Sequence, residues 1–491
     1  MRLHHIAVAT ALSLALAACA SSGGLHPDGK PLDPAGLKAG RSLAGLSPAA
    51  WPAEDWWTGL GDPQLDRLIA EALADNPSLA AADARARQAQ AQAGAADAER
   101  GPTVNAGASV AGARIPTTVL PADAGGGHFA WAKYGYASFS WGLDLWGGKR
   151  AAWEAALGEA RAAEIEARAA RLELSSNVAR AYVQLGYAFA QQDVAQAELA
   201  RARQARELTG QRVAAGLDSQ LQLKQADAEV ASAEQQRAVA DRAIDAARSA
   251  LAVLLGKGPD RGLDIARPQP LQPAALAVPA QLPAELLGHR PDLVAARWRV
   301  EAAAKQIKTA RTEFLPNVSI SALAGLVAMG GTNLFQMPAR FYDAGPSLSL
   351  PIFDGGRRRA NLAEKDAQYD LAVAQYDQAL VGALNQVADD LSALKAQQEQ
   401  LAAQQRALDA ASQAWQLAEQ RYKAGVGSYL EALVVRQQLL AAEQRMAALK
   451  AQQVDQSVQL IQALGGGFRP QAGDAPPADA ASDSVSSTSH P

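Results

Sequence analysis

The chain has 491 residues, 49% of them hydrophobic but only 5% aromatic, so its apolar content is mostly small side chains, better suited to close helix packing than to a bulky globular core. Formal net charge is −4, with both signs interspersed along the chain, which argues against a nucleic-acid partner. The single cysteine, Cys19, excludes an internal disulfide framework and a cysteine-based metal cluster.

Residues 1–18 read as a signal peptide. Arg2, His4 and His5 form a short polar start, and residues 6–18 form an apolar run too short for a permanent membrane span. Leu16-Ala17-Ala18-Cys19 then closes it and resembles the bacterial lipobox, which implies cleavage before Cys19 and lipidation of that residue. Ala20, rather than Asp, after the cysteine favours the outer membrane by resemblance to lipoprotein sorting. Residues 19–55, rich in Gly, Pro, Ser and Ala, suit a lipidated N-terminal tether.

From Asp62 the character changes. Asn76-Pro77 starts a helix, with Asn as N-cap and Pro at the first helical position, running to about Arg100. Residues 103–111 alternate Val104, Ala106, Ala108 and Val110 with small polar positions, and 133–145 is aromatic and strand-like around a Gly125-Gly126-Gly127 loop. No proline follows Gly148 until Pro259, leaving room for two very long helices separated near Gly216. The proline-rich stretch 259–290 reads as a connector beside them. Pro291 opens a helix to about Glu313, residues 317–323 and 345–350 are strand-like, and 352–469 again lacks proline.

This order of elements is a duplication. Leu143-Asp144-Leu145-Trp146 before Gly147-Gly148-Lys149-Arg150 matches Leu350-Pro351-Ile352-Phe353 before Gly355-Gly356-Arg357-Arg358. Gln211-Arg212-Val213-Ala214-Ala215-Gly216 matches Gln420-Arg421-Tyr422-Lys423-Ala424-Gly425, and Leu254-Leu255-Gly256 matches Ala463-Leu464-Gly465, both at an offset of 209 (425 minus 216, 465 minus 256). The repeats span 56–258 and 291–467, and 468–491 reads as a disordered tail. Apolar residues at Leu380, Leu384, Val387, Leu391, Leu394, Leu401, Leu408 and Trp415 form a coiled-coil seam. Leu433, Leu440, Ala447, Val454 and Ile461 follow at sevens, as do Leu223, Val230, Ile244 and Leu251 with Arg237 interrupting. Four strands cannot close a barrel alone, so several chains must pool them if they enter lipid.

Several blocks carry a family resemblance. They are Trp57 with Gly61-Asp62-Pro63-Gln64-Leu65; Leu143 to Gly147; Leu282-Pro283-Ala284-Glu285-Leu286-Leu287 with Arg290-Pro291-Asp292-Leu293; Phe314-Leu315-Pro316; Pro351 to Arg357; and Arg421 to Val426 with Ser428-Tyr429-Leu430. In this order, over about residues 55–467, the chain closely resembles the TolC-like outer membrane factor family, in its lipoprotein, NodT-type branch of multidrug efflux channels.

That resemblance implies a mainly α fold with a small β part. A homotrimer would form a twelve-stranded outer-membrane β-barrel continued by a long α-helical coiled-coil barrel in the periplasm. It implies no cofactor and no enzymatic activity. Expected partners are outer-membrane lipid, a periplasmic adaptor (membrane fusion) protein and an inner-membrane transporter. The adaptor would dock at the hairpin tips, here Gly216, Leu217, Gly425 and Val426. A periplasmic gate would use Glu431, with Tyr422 and Arg436 as possible partners; Val434 stands where some members carry a second aspartate.

Other readings stay open on the residues alone: a conduit for type I protein secretion or metal efflux, or a non-conducting coiled-coil lipoprotein scaffold. Only four Met argue against a copper route. His26, His128, His289 and His490 are isolated, with no catalytic or metal-ligating constellation around them.

Overall fold

The computed structural model describes residues 24–37, 47–48, 50–119, 121–124, 126–273, 277–278, 288–471 and 473–474; the signal segment, Cys19, the block 282–287 and residues 475–491 lie outside them. Helices dominate. α1 (Pro63–Asp75) and α2 (Pro77–Ala98) start with the same device: the side chains of Asp62 and Asn76 accept from the amides of Gln64 and Ser78, and each is followed by proline. The Asn76 start was expected. α1 was not, because thirteen residues give too few turns for a periodic signal to stand out.

The long elements are α3 (Gly148–Ala214) and α4 (Gln220–Leu254), then α6 (Pro291–Thr312), α7 (Arg357–Lys423) and α8 (Tyr429–Ala463), with a short α5 (Pro259–Leu263) between the halves. α3 and α7 each hold 67 residues, and at 1.5 Å per residue each extends about 100 Å. All four boundaries of the α3–α4 hairpin recur in α7–α8 at the offset of the sequence match (357 minus 148, 423 minus 214, 429 minus 220 and 463 minus 254 all equal 209).

Shorter helices stack end to end into rods. Asn76 Nδ2 donates to the last-turn carbonyl of α4 at Leu254, 2.6 Å away, joining α4 to α2. Arg290 Nη1 donates to Ala463 O at 3.0 Å, joining α8 to α6. α3 packs against both rods, while α7 packs along its length against the α6/α8 rod and meets α3 at the tip, where Tyr422 lies beside Thr209. The layer is therefore four rods wide, and no further long helix among the described residues covers its two outer flanks, the α2/α4 rod and α7.

The seams are narrower than expected. In α4 the buried line is Ala226, Ala233, Ala240, Ile244 and Leu251, with Leu223 and Val230 only half-buried. In α7 the expected seam is buried from Leu380 to Leu394 but half-buried at Leu401, Leu408 and Trp415, where the helix has lost α6 as a neighbour.

Above the helices lies a four-stranded antiparallel sheet in the order β2 (Thr103–Arg114), β3 (Phe129–Leu143), β5 (Asn317–Met329), β6 (Arg340–Ser349). Every strand differs from its expected bounds. β2 and β5 run on past 111 and 323, β6 starts before 345, and β3 covers 129–143 rather than 133–145. Ladder pairing continues through glycine and alanine positions that break the apolar pattern, and Pro346 is tolerated because β6 is an edge strand. A separate two-residue parallel pairing joins β1 (Ser47–Pro48) to β4 (Ala277–Val278).

Register separates the two faces of the sheet. Partners directly opposite share a face, so one face carries the row Val104, Phe139, Ala322, Ala344, with Trp141, Ile320, Leu143, Val318 and Leu348 beside it. The other carries the rows Thr103, Ser140, Ser321, Gly345 and Asn105, Ser138, Leu323, Asp343, and the pair Ser319–Ser347.

The ends of the chain are more closely packed than expected. In the tether, Gly29 N donates to Asp370 at 2.7 Å and Leu32 N to Asp377 at 2.9 Å, while Leu25 packs with Ile307, Phe314 and Leu362. The tail boundary at 468 is too early. Phe468 is buried with Ile165 and Val294, and Asp474 pairs with Arg168 at 2.5 Å and accepts on its carbonyl from Trp298 Nε1.

Midway along the rods, Trp56, Leu60, Leu65, Leu68 and Ile69 pack on Val178, Tyr182, Leu185 and Leu251. The Gly61-Asp62-Pro63-Gln64 block organises this core. Buried Asp62 caps α1 and also accepts from the Tyr182 hydroxyl at 2.6 Å and from Gln269 N at 2.9 Å; Gln64 bonds both polar backbone groups of Ala266. Burial, with the Asp62 contact, raises the Tyr182 pKa above its ordinary value. Asp62→Ala removes the cap and takes the acceptor from the buried Tyr182 hydroxyl and from the Gln269 amide, so a loss of about 3 kcal/mol is expected in urea unfolding, against less than half of that for Asp62→Asn. Equal losses would show that the charge, and not the cap geometry, carries the site.

Candidate functional site at the hairpin tips

Both hairpins reverse at the end furthest from the sheet, and both do so by one device. Gly216 takes φ +74° and Gly425 φ +78°, a left-handed conformation that costs glycine little. Leu217 N then bonds Arg212 O at 2.9 Å and Val426 N bonds Arg421 O at 3.0 Å, satisfying the last helical carbonyls. Ser219 and Ser428 cap the returning helices. The turns leave Leu217 (66% exposed) and Val426 (68% exposed), with Leu221 and Leu430, as apolar side chains in the open. A Cβ at Gly216 would meet nothing within 4 Å, so side-chain size is limited there by backbone conformation alone.

The expected gate residues do not form one cluster. Tyr422 is buried between the hairpins. Its hydroxyl donates to Asp218 at 2.7 Å and lies 3.1 Å from Thr209 Oγ1, and the Arg212 guanidinium sits 4.8 Å over its ring while pairing with Asp218 at 2.8 Å. The Arg212 hydrogen bond holds Asp218 below the usual carboxylate range, with help from Tyr422 and against desolvation, and burial raises the Tyr422 phenol.

Arg436 is 2% exposed, with Nε 3.0 Å from Glu198 and Nη2 2.6 Å from Glu229. Arg201 pairs with Glu198 at 3.2 Å and with Glu443 at 2.6 Å. A charge ladder of Glu229, Arg436, Glu198, Arg201 and Glu443 thus crosses α4, α8 and α3. Burial pushes Glu198 upward despite its two guanidinium neighbours. Such a ladder need not add net stability, but removing one member costs about 3–5 kcal/mol because it strands a buried charge.

Glu431 stands apart. It is exposed and faces Arg421 of its own hairpin at 3.6 Å, not Tyr422 or Arg436 as expected. An exposed pair of this kind contributes little. Asp218, Thr209, Glu198 and Glu229 were missed: each is an unremarkable polar residue until the fold sets it against the other hairpin. Asp218 lay directly after the singled-out turn residues Gly216 and Leu217, and Glu229 beside Val230 of the heptad line, but neither position marked a charge partner.

Among the described residues no group of three His, Cys, Asp or Glu could hold a metal, and no helix is long and apolar enough to cross a membrane.

A profile of the outer membrane efflux protein family matches residues 68–257 and 282–466. Fusaric acid resistance protein FusA of Burkholderia cepacia is 38% identical over 364 residues, covering 73% of this chain and 68% of that protein. Multidrug resistance outer membrane protein MdtP of Shigella flexneri is 33% identical over 436 residues, covering 86% of this chain and 88% of that protein. The solved outer membrane protein VceC of Vibrio cholerae shares the fold with a TM-score of 0.79 at 36% identity, covering 85% of this chain and 100% of that one.

A depressed carboxylate pKa stabilises the folded state above its ordinary value near 4 and stops doing so as pH falls through the folded value. The Tyr422–Asp218 contact is therefore expected to loosen in acid. Amide-exchange protection of residues 210–222, corrected for intrinsic rates, should drop below about pH 4, and in Asp218→Asn should be low already at neutral pH. An acid profile shared by both proteins would contradict this role for Asp218.

Proposed function

Because the chain belongs to the outer membrane efflux protein family, and is thus an outer-membrane efflux channel rather than an enzyme, we propose that three copies pool their sheets into one twelve-stranded barrel continued by a helical tunnel in the periplasm. The observation that carries this is the sheet itself: in the rows nearest the helices one face is apolar and the other mostly polar, and both edge strands are unpaired among the described residues. Alternating strands of this kind suit a wall between lipid and water. β2 and β6 run in opposite directions, so copies placed side by side join antiparallel all the way round. The exposed flanks of the rod layer would close against each other in the same operation. The number three comes from family resemblance.

Each half of the chain supplies two strands, a 67-residue helix and a 35-residue helix, which supports one ancestral unit duplicated over 56–258 and 291–467. The lipid on Cys19 belongs at the membrane end. Leu25 packs where α6 gives way to β5, and six extended residues reach no more than about 20 Å, so the anchor and the apolar sheet face address the same bilayer.

Family channels work in tripartite pumps with an adaptor and an inner-membrane transporter. Here the adaptor docks on the exposed apolar tips around Gly216, Leu217, Gly425 and Val426, and the transporter supplies both energy and substrate choice. Relatives named for fusaric acid and multidrug resistance favour small organic substrates over proteins or metal ions. Tyr422 and Arg436 hold the second hairpin to the first as the closed state of a periplasmic gate, and Glu431 adds an acidic ring at its mouth.

Purified full-length protein is expected to run as a trimer in detergent and to conduct ions stepwise in a planar bilayer. A monomer without conductance would favour the scaffold reading. Gly425→Ile forces a β-branched residue into φ +78°, at a cost of about 1–3 kcal/mol. The variant should still form trimers but lose efflux in cells, and unimpaired efflux would rule out docking at that turn.

A further inference from the structure

The pairing of β2, β3, β5 and β6 runs without a bulge from the helices to the far loops, so each face of the sheet keeps its identity over its whole height. The face that begins as Ser140, Ser321 and Gly345 turns aromatic further out. One row across all four strands reads Gly107, Tyr136, Gly325, Phe341, and Tyr134 stands in the next row between Ser109 and Val327. Tyr134 stacks on Phe341 with centroids 5.4 Å apart and planes 11° from parallel, and its ring lies 5.1 Å from that of Tyr136. All three rings are half-buried, so each leaves part of its surface open.

Two of these rings have a reason within the sheet. A Cβ on Gly107 would lie 2.7 Å from the Tyr136 ring, and one on Gly325 would lie 2.7 Å from the Phe341 ring. Each ring therefore lies across a glycine of the neighbouring strand and makes good its missing side chain. No glycine lies opposite Tyr134, and the sheet alone does not account for that ring.

Charge is sorted between the faces as well. Of the four charged residues on these strands, Arg114, Lys133 and Arg340 fall on the face of Phe139, and Asp343 alone falls on the face of Tyr134. Asp343 is exposed and lies two residues along β6 from Phe341, a distance of about 7 Å. A solute in front of the rings thus meets π surface and a carboxylate, and no cation of the strands. The negative faces of aromatic rings attract cations, by about two- to fivefold in affinity at an exposed ring.

We propose that this patch binds aryl cations inside the bore, with the ring of the solute against Tyr134 and its positive charge towards Asp343. The proposal rests on the trimeric channel reading, which turns this face inward, and it gives that channel a preferred solute class at its outer end. Three copies would present three such patches around one passage.

The test is single-channel recording of the full-length trimer in a planar bilayer, with the blocker added on the side of the β2–β3 loop. Benzyltrimethylammonium should lower the current saturably. (Cyclohexylmethyl)trimethylammonium, of similar size but without a π face, should need at least about a threefold higher concentration, and benzenesulfonate should not block. Tyr134→Leu should bring the two cations to equal potency, while Tyr134→Phe should keep the difference. Asp343→Asn should weaken both cations about two- to fivefold, as loss of one exposed charge contact implies. Equal block by the two cations in the unaltered protein, block by benzenesulfonate, or a Tyr134→Leu channel that still prefers the aromatic cation would overturn the site. Trimers that conduct but ignore benzyltrimethylammonium also remove it and leave the channel standing, whereas trimers that never conduct remove the channel reading and the site with it.

Discussion

The two outer strands of the sheet set the terms for everything below them. β2 has twelve residues and β6 has ten, and each presents one row of backbone N–H and C=O groups to no partner strand among the described residues. In water such an edge invites aggregation, and in hydrocarbon each unmet group costs several kcal/mol. The apolar face that runs through Phe139, Trp141, Ile320 and Leu348 suits hydrocarbon better than water. Edge-to-edge closure between copies meets both demands with one arrangement.

The helical layer follows the same order. β2 continues from α2, β3 into α3, β5 from α6 and β6 into α7, so the strand order β2-β3-β5-β6 is also the order of the rods beneath. One strand stands over one rod, and closing the sheet closes the rods. The returning passages turn sharply from strand to helix, and glycines with positive φ, Gly147 and the pair Gly355-Gly356, lie at those corners. At the other end the glycine turns give reversal without bulk, and what fastens the hairpins together lies on side chains: Tyr422 on Asp218, and Arg436 between Glu198 and Glu229.

How much of this the sequence disclosed depended on the range of the interaction. Long helices were legible because proline is absent over more than a hundred residues twice, and the α2 start because Asn76-Pro77 is a local signal. The same signal at Asp62-Pro63 was passed over. The seam of α4 was misread because Ala226, Ala233 and Ala240 carry little apolar weight, although small residues are what let α3 and α4 approach. Strand ends were misplaced where glycine and alanine hide the alternation that backbone pairing preserves. At the tips, the glycines were found from the repeat, while the partners of Tyr422 and Arg436 were not, since Asp218, Glu198 and Glu229 sit about 200 residues away and meet them only after folding. Glu431 was grouped with Tyr422 and Arg436 by proximity along the chain, and the helix turns it towards Arg421 instead.

Electron cryomicroscopy of the mature protein in lipid nanodiscs addresses closure most directly. The account predicts a threefold particle in which β2 of each copy is hydrogen-bonded to β6 of the next, with the Phe139 face against lipid and the Ser138 face against water. A single-chain particle with both edge strands solvated, or a sheet lying outside the bilayer, would contradict it.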